Sequence, residues 1–203
     1  MRLDPAVARA KFENQVSRIH AQRDVLAEWG CWVRRIEFPD VDVVFVPRSP
    51  AKISHPPFEV ARSPLSGSVT VNREFGALAA RAFGARFTLD DFDQLPPSVT
   101  FRDAWTWDPL PYHHLPDGAL VDEQQAATRV LQERHPETGL PFLCVRGTRE
   151  YHSHPEHTGD DWALHREGFA LFDLVALVWR TCVRPVQLHL IAAGPVVPRW
   201  ELR

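Results

Sequence analysis

The sequence predicts an α+β fold, a mainly antiparallel sheet with helices at one face. Three observations carry this. Phe12, Val16, Ile19 and Leu26 recur at helical spacing near the N-terminus. Short β-branched and aromatic runs then follow one another, separated by proline and glycine turns rather than by helical segments. Finally Leu164, Phe169, Leu171, Phe172, Leu174, Val175, Leu177, Val178 and Trp179 make one segment apolar around nearly its whole circumference, the pattern of a covered helix.

Taken in order, Asp4 and Pro5 read as an N-cap followed by proline in the first turn, so the first helix is expected from there to about Glu28, closed by Gly30. Residues 31–46, CWVRRIEFPDVDVVFV, are rich in strand formers. Pro47 and Pro50 break the chain, and His55-Pro56-Pro57 is a second rigid turn. Residues 58–71 predict one or two strands with a turn at Ser66-Gly67. The alanine-rich residues 73–85 suggest a short helix, residues 86–89 a strand, and LPPSVTF follows at 95–101. Residues 103–118, with Trp105, Trp107, Tyr112, His113 and His114, read as a loop that packs its own aromatics over the core. A polar helix is expected over 122–134, a short strand over 142–145, the apolar helix over 162–183, and a last strand over 186–192. No repeat or linker divides the chain, so residues 1–203 are expected to form one domain.

Composition narrows the function classes. The 203 residues carry a net charge of −3 with a pI near 6.4, which gives no bulk electrostatic case for nucleic acid or an anionic membrane as partner. No apolar run approaches the ~20 residues of a membrane span, and the N-terminal residues lack the apolar core of a signal peptide. A cytoplasmic, reducing location is therefore expected. Three widely spaced cysteines do not suggest a disulfide framework.

The chemistry concentrates in residues 142–162, FLCVRGTREYHSHPEHTGDDW, which hold Cys144, Glu150, His152, His154 and His157. Seven of the ten histidines lie between His113 and His165, so the clustering is not a composition effect. Glu150, His152 and His154 have period 2, and on an extended segment all three side chains project from one face. Cys144 has the same parity, and a turn at Gly147 would bring it alongside. Cys144, Glu150, His152 and His154 then make a candidate zinc set of thiolate, carboxylate and two imidazoles. The other reading makes Cys144 a nucleophile, its thiolate supported by Arg146, Arg149 and the histidines. Cys31 and Cys182 sit in apolar surroundings and read as inert core thiols. A histidine-rich loop hydrogen-bonded to Glu156, Asp160 and Asp161 is the plain structural alternative.

Two resemblances bear on that choice. Pro96-Pro97-Ser98-Val99-Thr100-Phe101, then His135-Pro136, then Leu143-Cys144-Val145, then Trp162 ahead of a long apolar helix, resemble the pattern of ubiquitin-conjugating enzymes. The resemblance spans about residues 5–182, with insertions at about 102–134 and 146–161. It implies a ubiquitin-conjugating-enzyme-like fold, with an N-terminal helix, an antiparallel β-meander and a C-terminal buried helix. It also implies a Cys144 that carries a ubiquitin-like protein as a thioester, received from an activating enzyme. Glu137 stands where that family has the asparagine that stabilises the oxyanion, so His152 or His154 would orient the thioester or act as general base. The second resemblance is to a predicted bacterial metal-binding family named for its Cys-Glu-His-His residues and associated with operons for ubiquitin-like conjugation. Cys144, Glu150, His152 and His154 match that signature, which implies zinc in a structural or adaptor role.

Overall fold

In the computed structural model, residues 3–46, 68–73, 76–115, 130–157 and 159–185 are described. The first helix, α1 (Pro5–Ala21), starts where the sequence places it: the Asp4 carboxylate accepts from the Ala6 amide and Pro5 opens the first turn. The expected single helix to residue 28 is two helices. Gln22 leaves helical geometry, and α2 (Arg23–Trp29) follows and ends on Gly30 at a φ of 81°. Phe12, Ile19 and Leu26 nevertheless all face the core.

Residues 31–46 form a hairpin, β1 (Cys31–Glu37) and β2 (Asp40–Phe45), turned at a cis Phe38–Pro39 bond. A second hairpin pairs β3 (Ser68–Arg73) with β4 (Gly76–Arg81). β5 (Phe83–Thr88) and β6 (Ser98–Asp103) complete a four-stranded antiparallel sheet in the order β1-β2-β5-β6. The alanine-rich helix expected over 73–85 is therefore absent, and those residues fall mainly in β4 and β5. Alanine's helix preference is a fraction of a kcal/mol per residue, and pairing of β5 with both β2 and β6 overrides it. Of the one or two strands expected over 58–71, residues 68–71 fall in β3; residues 58–67 and the strand expected over 186–192 lie outside the described residues.

Alternation sorts the sheet into two faces. Val41, Val43, Phe45, Phe83, Ala85, Phe87, Val99 and Phe101 point inward, where α1 and α2 cover them. On the other face Asp42 is buried and accepts from Arg35 at 3.0 Å and from Arg86 at 2.9 and 3.1 Å. Trp107 lies over Gly84, where a β-carbon would come within 2.4 Å of its ring, so this aromatic packs as expected while Trp105 stays exposed.

The expected helix over 162–183 is shorter. Residues 162–168 form two 3-10 turns, the first capped by Asp161, and α4 (Leu171–Val178) begins only after Gly168. Its start is fixed from α1, since the buried Gln15 side chain accepts from the Leu171 amide at 3.0 Å. Leu171, Leu174, Val175 and Val178 are fully buried, with Phe172, Leu177 and Trp179 packed at the margin, so the covered-helix reading holds. Burying each such side chain contributes about 1.5–3 kcal/mol. A π-helical turn, Trp179–Val183, continues α4 and buries Cys182 and Val183. Among the described residues no helix is long and apolar enough to cross a membrane.

Candidate active site

The Cys144 region is built on a two-stranded ribbon, β7 (Leu131–Gln132) with β8 (Phe142–Leu143). The polar helix expected over 122–134 gives way to β7 at its end, because Leu131 is needed to bury against Leu143; residues 122–129 lie outside the described ones. Cys144 follows β8 directly, and its amide donates to the Val130 carbonyl at 2.7 Å.

The chain then turns at Arg146 and Gly147 and enters α3 (Arg149–Ser153). Thr148 starts this helix. Fully buried, its hydroxyl faces the carbonyls of Leu143 at 2.8 Å and Val145 at 3.0 Å and accepts from the Tyr151 amide. The turn at Gly147 is as expected, but the extended run expected beyond it is a helix. That correction matters, because helical spacing separates the side chains that period 2 would align.

Glu150 faces β6: its carboxylate accepts from the Ser98 hydroxyl and, at 3.2 Å, from the Val99 amide. Burial pushes its pKa up, only partly offset by these donors. Beside it the Arg149 amide donates to the Pro97 carbonyl at 2.8 Å, so α3 is tied to the start of β6 at two successive residues. His152 lies between two carbonyls, with Nε2 2.8 Å from Arg146 O and Nδ1 3.2 Å from Asp160 O. His154 ends α3 and stacks on Phe142, with ring centroids 5.7 Å apart.

His135, of the His-Pro pair, is buried and structural. Its Nδ1 accepts from the Glu137 amide at 3.3 Å, which leaves the proton on Nε2 to donate to the Glu150 carbonyl at 3.0 Å. Cys31 and Cys182 are buried as expected, and burial alone pushes the Cys182 thiol up to about 12.

The residue that meets Cys144 is His157. Its Nε2 lies 3.2 Å from the Cys144 sulfur. It follows His154 in a 3-10 turn, Pro155–His157, which swings the imidazole back across the mouth of the β8–α3 turn. Tyr151 stacks on the face of that ring, with centroids 3.9 Å apart and planes 13° from parallel. The Tyr151 hydroxyl donates to Asp160, whose carboxylate is 3.4 Å from Arg146 Nε. That hydrogen bond holds the Asp160 carboxyl below its ordinary range. Burial, and then the nearby Glu156 carboxylate, push the Cys144 thiol above its ordinary value. At neutral pH the Cys144 side chain is thus held as the thiol rather than as a preformed thiolate.

Zinc needs its donors to converge on one point about 2.0–2.3 Å away. Cys144 turns to His157, Glu150 to β6, His152 to two carbonyls and His154 to Phe142, so the four do not share a focus. Among the described residues no group of three His, Cys, Asp or Glu side chains is placed to hold a metal ion. This arrangement does not fit zinc at that set of four.

His157 was visible in the sequence as part of the histidine cluster, but period 2 leaves it out of phase with Cys144. The signal that finds it is the Thr148 N-cap with Glu150 in the first helical turn, which marks residues 149–153 as helix and changes every later side-chain direction.

Over 221 residues the chain is 29% identical to the uncharacterized protein y4jH of Sinorhizobium fredii (strain NBRC 101917 / NGR234), an alignment covering 97% of this chain and 94% of that protein. Residues 76–186 match the Y4jH-like family, a stretch that runs from β4 through α4 and takes in Cys144, Tyr151 and His157. The chain belongs to the Y4jH family.

Proposed function

We propose that this protein is an acyl carrier acting through a thioester on Cys144, with His157 as the base, and that the acyl group it carries is the C-terminus of a ubiquitin-like protein. The observation that carries the reading is the 3.2 Å approach of His157 Nε2 to the Cys144 sulfur. A nucleophilic cysteine requires access and a base within hydrogen-bond reach, and this half-buried thiol has both. In the step, the Cys144 sulfur attacks the carbonyl of an incoming thioester while His157 takes the thiol proton. The new carbon–sulfur bond forms as the donor's breaks, and the departing thiolate recovers the proton. The macromolecular identity of the acyl group rests on the resemblance to ubiquitin-conjugating enzymes. The antiparallel sheet flanked by α1 and the buried α4 is compatible with that resemblance.

The test uses the full chain and a small surrogate, the glutathione thioester of N-acetylglycine. Intact-mass spectrometry is expected to show one hydroxylamine-sensitive acyl adduct. Cys144→Ala should abolish it, and His157→Gln should slow its formation about a hundredfold. No adduct, or an adduct that survives Cys144→Ala, overturns the carrier reading. Elemental analysis of the same preparation addresses the zinc alternative. One tightly held zinc per chain, lost on changing Cys144, Glu150, His152 or His154, would favour the structural or adaptor role instead.

A further inference from the structure

Thiol–imidazole pairs are commonly completed by a third polar group that hydrogen-bonds the far ring nitrogen and fixes the imidazole. Here His157 Nδ1 has no hydrogen-bond partner among the described residues. What holds the ring is its face. Tyr151 lies parallel to it at 3.9 Å, and Tyr151 itself has little freedom. Its ring is buried, its amide donates to Thr148 and its hydroxyl to Asp160, which Arg146 flanks. A stacked ring fixes the plane of the imidazole, and hence the direction of Nε2.

The geometry points to Tyr151, anchored by Asp160 and Arg146, as the positioning residue that holds His157 against Cys144 by stacking in place of a third hydrogen-bonding group. The inference rests on the Cys144–His157 reading above. Displacing Nε2 by about an ångström costs on the order of a hundredfold in a reaction that depends on alignment.

The test measures the alkylation rate of Cys144 by iodoacetamide from pH 6 to 10 in the full chain; Cys31 and Cys182 are 2% and 1% exposed and do not compete. At pH 7.5, His157→Gln is expected to lower the rate about tenfold. Tyr151→Leu should lower it by the same factor and give the same pH profile. Tyr151→Phe keeps the stack and should stay within about threefold of wild type. The double variant His157→Gln/Tyr151→Leu should lose nothing beyond either single change. An unchanged rate in His157→Gln overturns the Cys144–His157 pair itself. A loss in His157→Gln without one in Tyr151→Leu, or additive losses in the double variant, overturns only the role of Tyr151. Should Tyr151→Leu fail to fold, proton NMR of wild type and Tyr151→Phe decides. An upfield, ring-current-shifted His157 Cε1 proton is expected in both, and an unshifted one overturns the inference.

Discussion

Gly147 lies directly beneath the Phe169 ring, where an added β-carbon would come within 2.0 Å of the ring atoms. The residue that turns the chain from Cys144 into α3 is thereby locked against the segment that leads into α4. Gly147→Ala should destabilise the protein by about 1–3 kcal/mol, since neither the buried backbone nor an aromatic ring yields two ångströms without repacking. Urea denaturation measures this. Gly147→Ala in a Phe169→Ala background should cost much less than in wild type. An equal cost in both backgrounds would show that the clash is not what matters.

Thr148 supports the same turn from within. Thr148→Val keeps the shape but removes the hydroxyl that serves two carbonyls and one amide. The lost cap should cost about 1–2 kcal/mol, with no carbonyl orphaned, since the Leu143 and Val145 carbonyls keep the Val145 and Thr148 amides as donors. The loosened turn should also raise the alkylation rate of Cys144. A stable variant with unchanged thiol reactivity would mean that α3 does not depend on its cap.

Glu150 should make stability pH-dependent in a direction opposite to that of most carboxylates. Its folded pKa is raised by burial, so the stability it contributes is fully present below the unfolded pKa and is lost as pH rises through the folded pKa. Glu150→Gln can still accept from Val99 and donate to Ser98. It should therefore match wild type near pH 4 and melt higher than wild type at pH 8. Thermal melts at the two pH values check this, and a variant that melts lower at pH 8 would mean that the charged form is the stabilised one.

The fold was legible wherever burial and local chemistry agreed. Asp4 and Pro5 start α1 as read, Val41, Val43 and Phe45 alternate into the core, and the apolar faces of α4 are covered. Reading failed where two rules competed. Residues 73–85 have helical composition, yet β5 sits between two strands and pairing decides. Residues 150–154 match a two-residue period, yet Thr148 caps a helix and sends Glu150 to β6 and His152 to the Arg146 and Asp160 carbonyls. The candidate stretch stands out in the sequence because cysteine and histidine cluster there. The pairing within it does not, because a single cap reverses which side chains face each other. His157 reaches Cys144 only through the 3-10 turn after His154, and nothing in the spacing of the histidines encodes that turn.

Glu156 gives a direct handle on the Cys144 thiol. It is exposed, adjacent to His157, and its charge is one of two causes that raise the thiol's pKa, after burial. Removing a negative charge favours the thiolate, so Glu156→Gln should lower the pH midpoint of Cys144 alkylation and speed the reaction about twofold at pH 8. The effect is electrostatic and solvent-screened. Wild type and variant should therefore converge in 1 M salt, where the Debye length is about 3 Å. A difference that persists in high salt would instead assign the change to the backbone, since the Glu156 amide donates to His154 Nδ1 and a shift there would move His157 as well. Iodoacetamide rates at low and high salt separate the two. Burial remains as the larger cause in either case, so the variant's thiol should still titrate above an unburied cysteine.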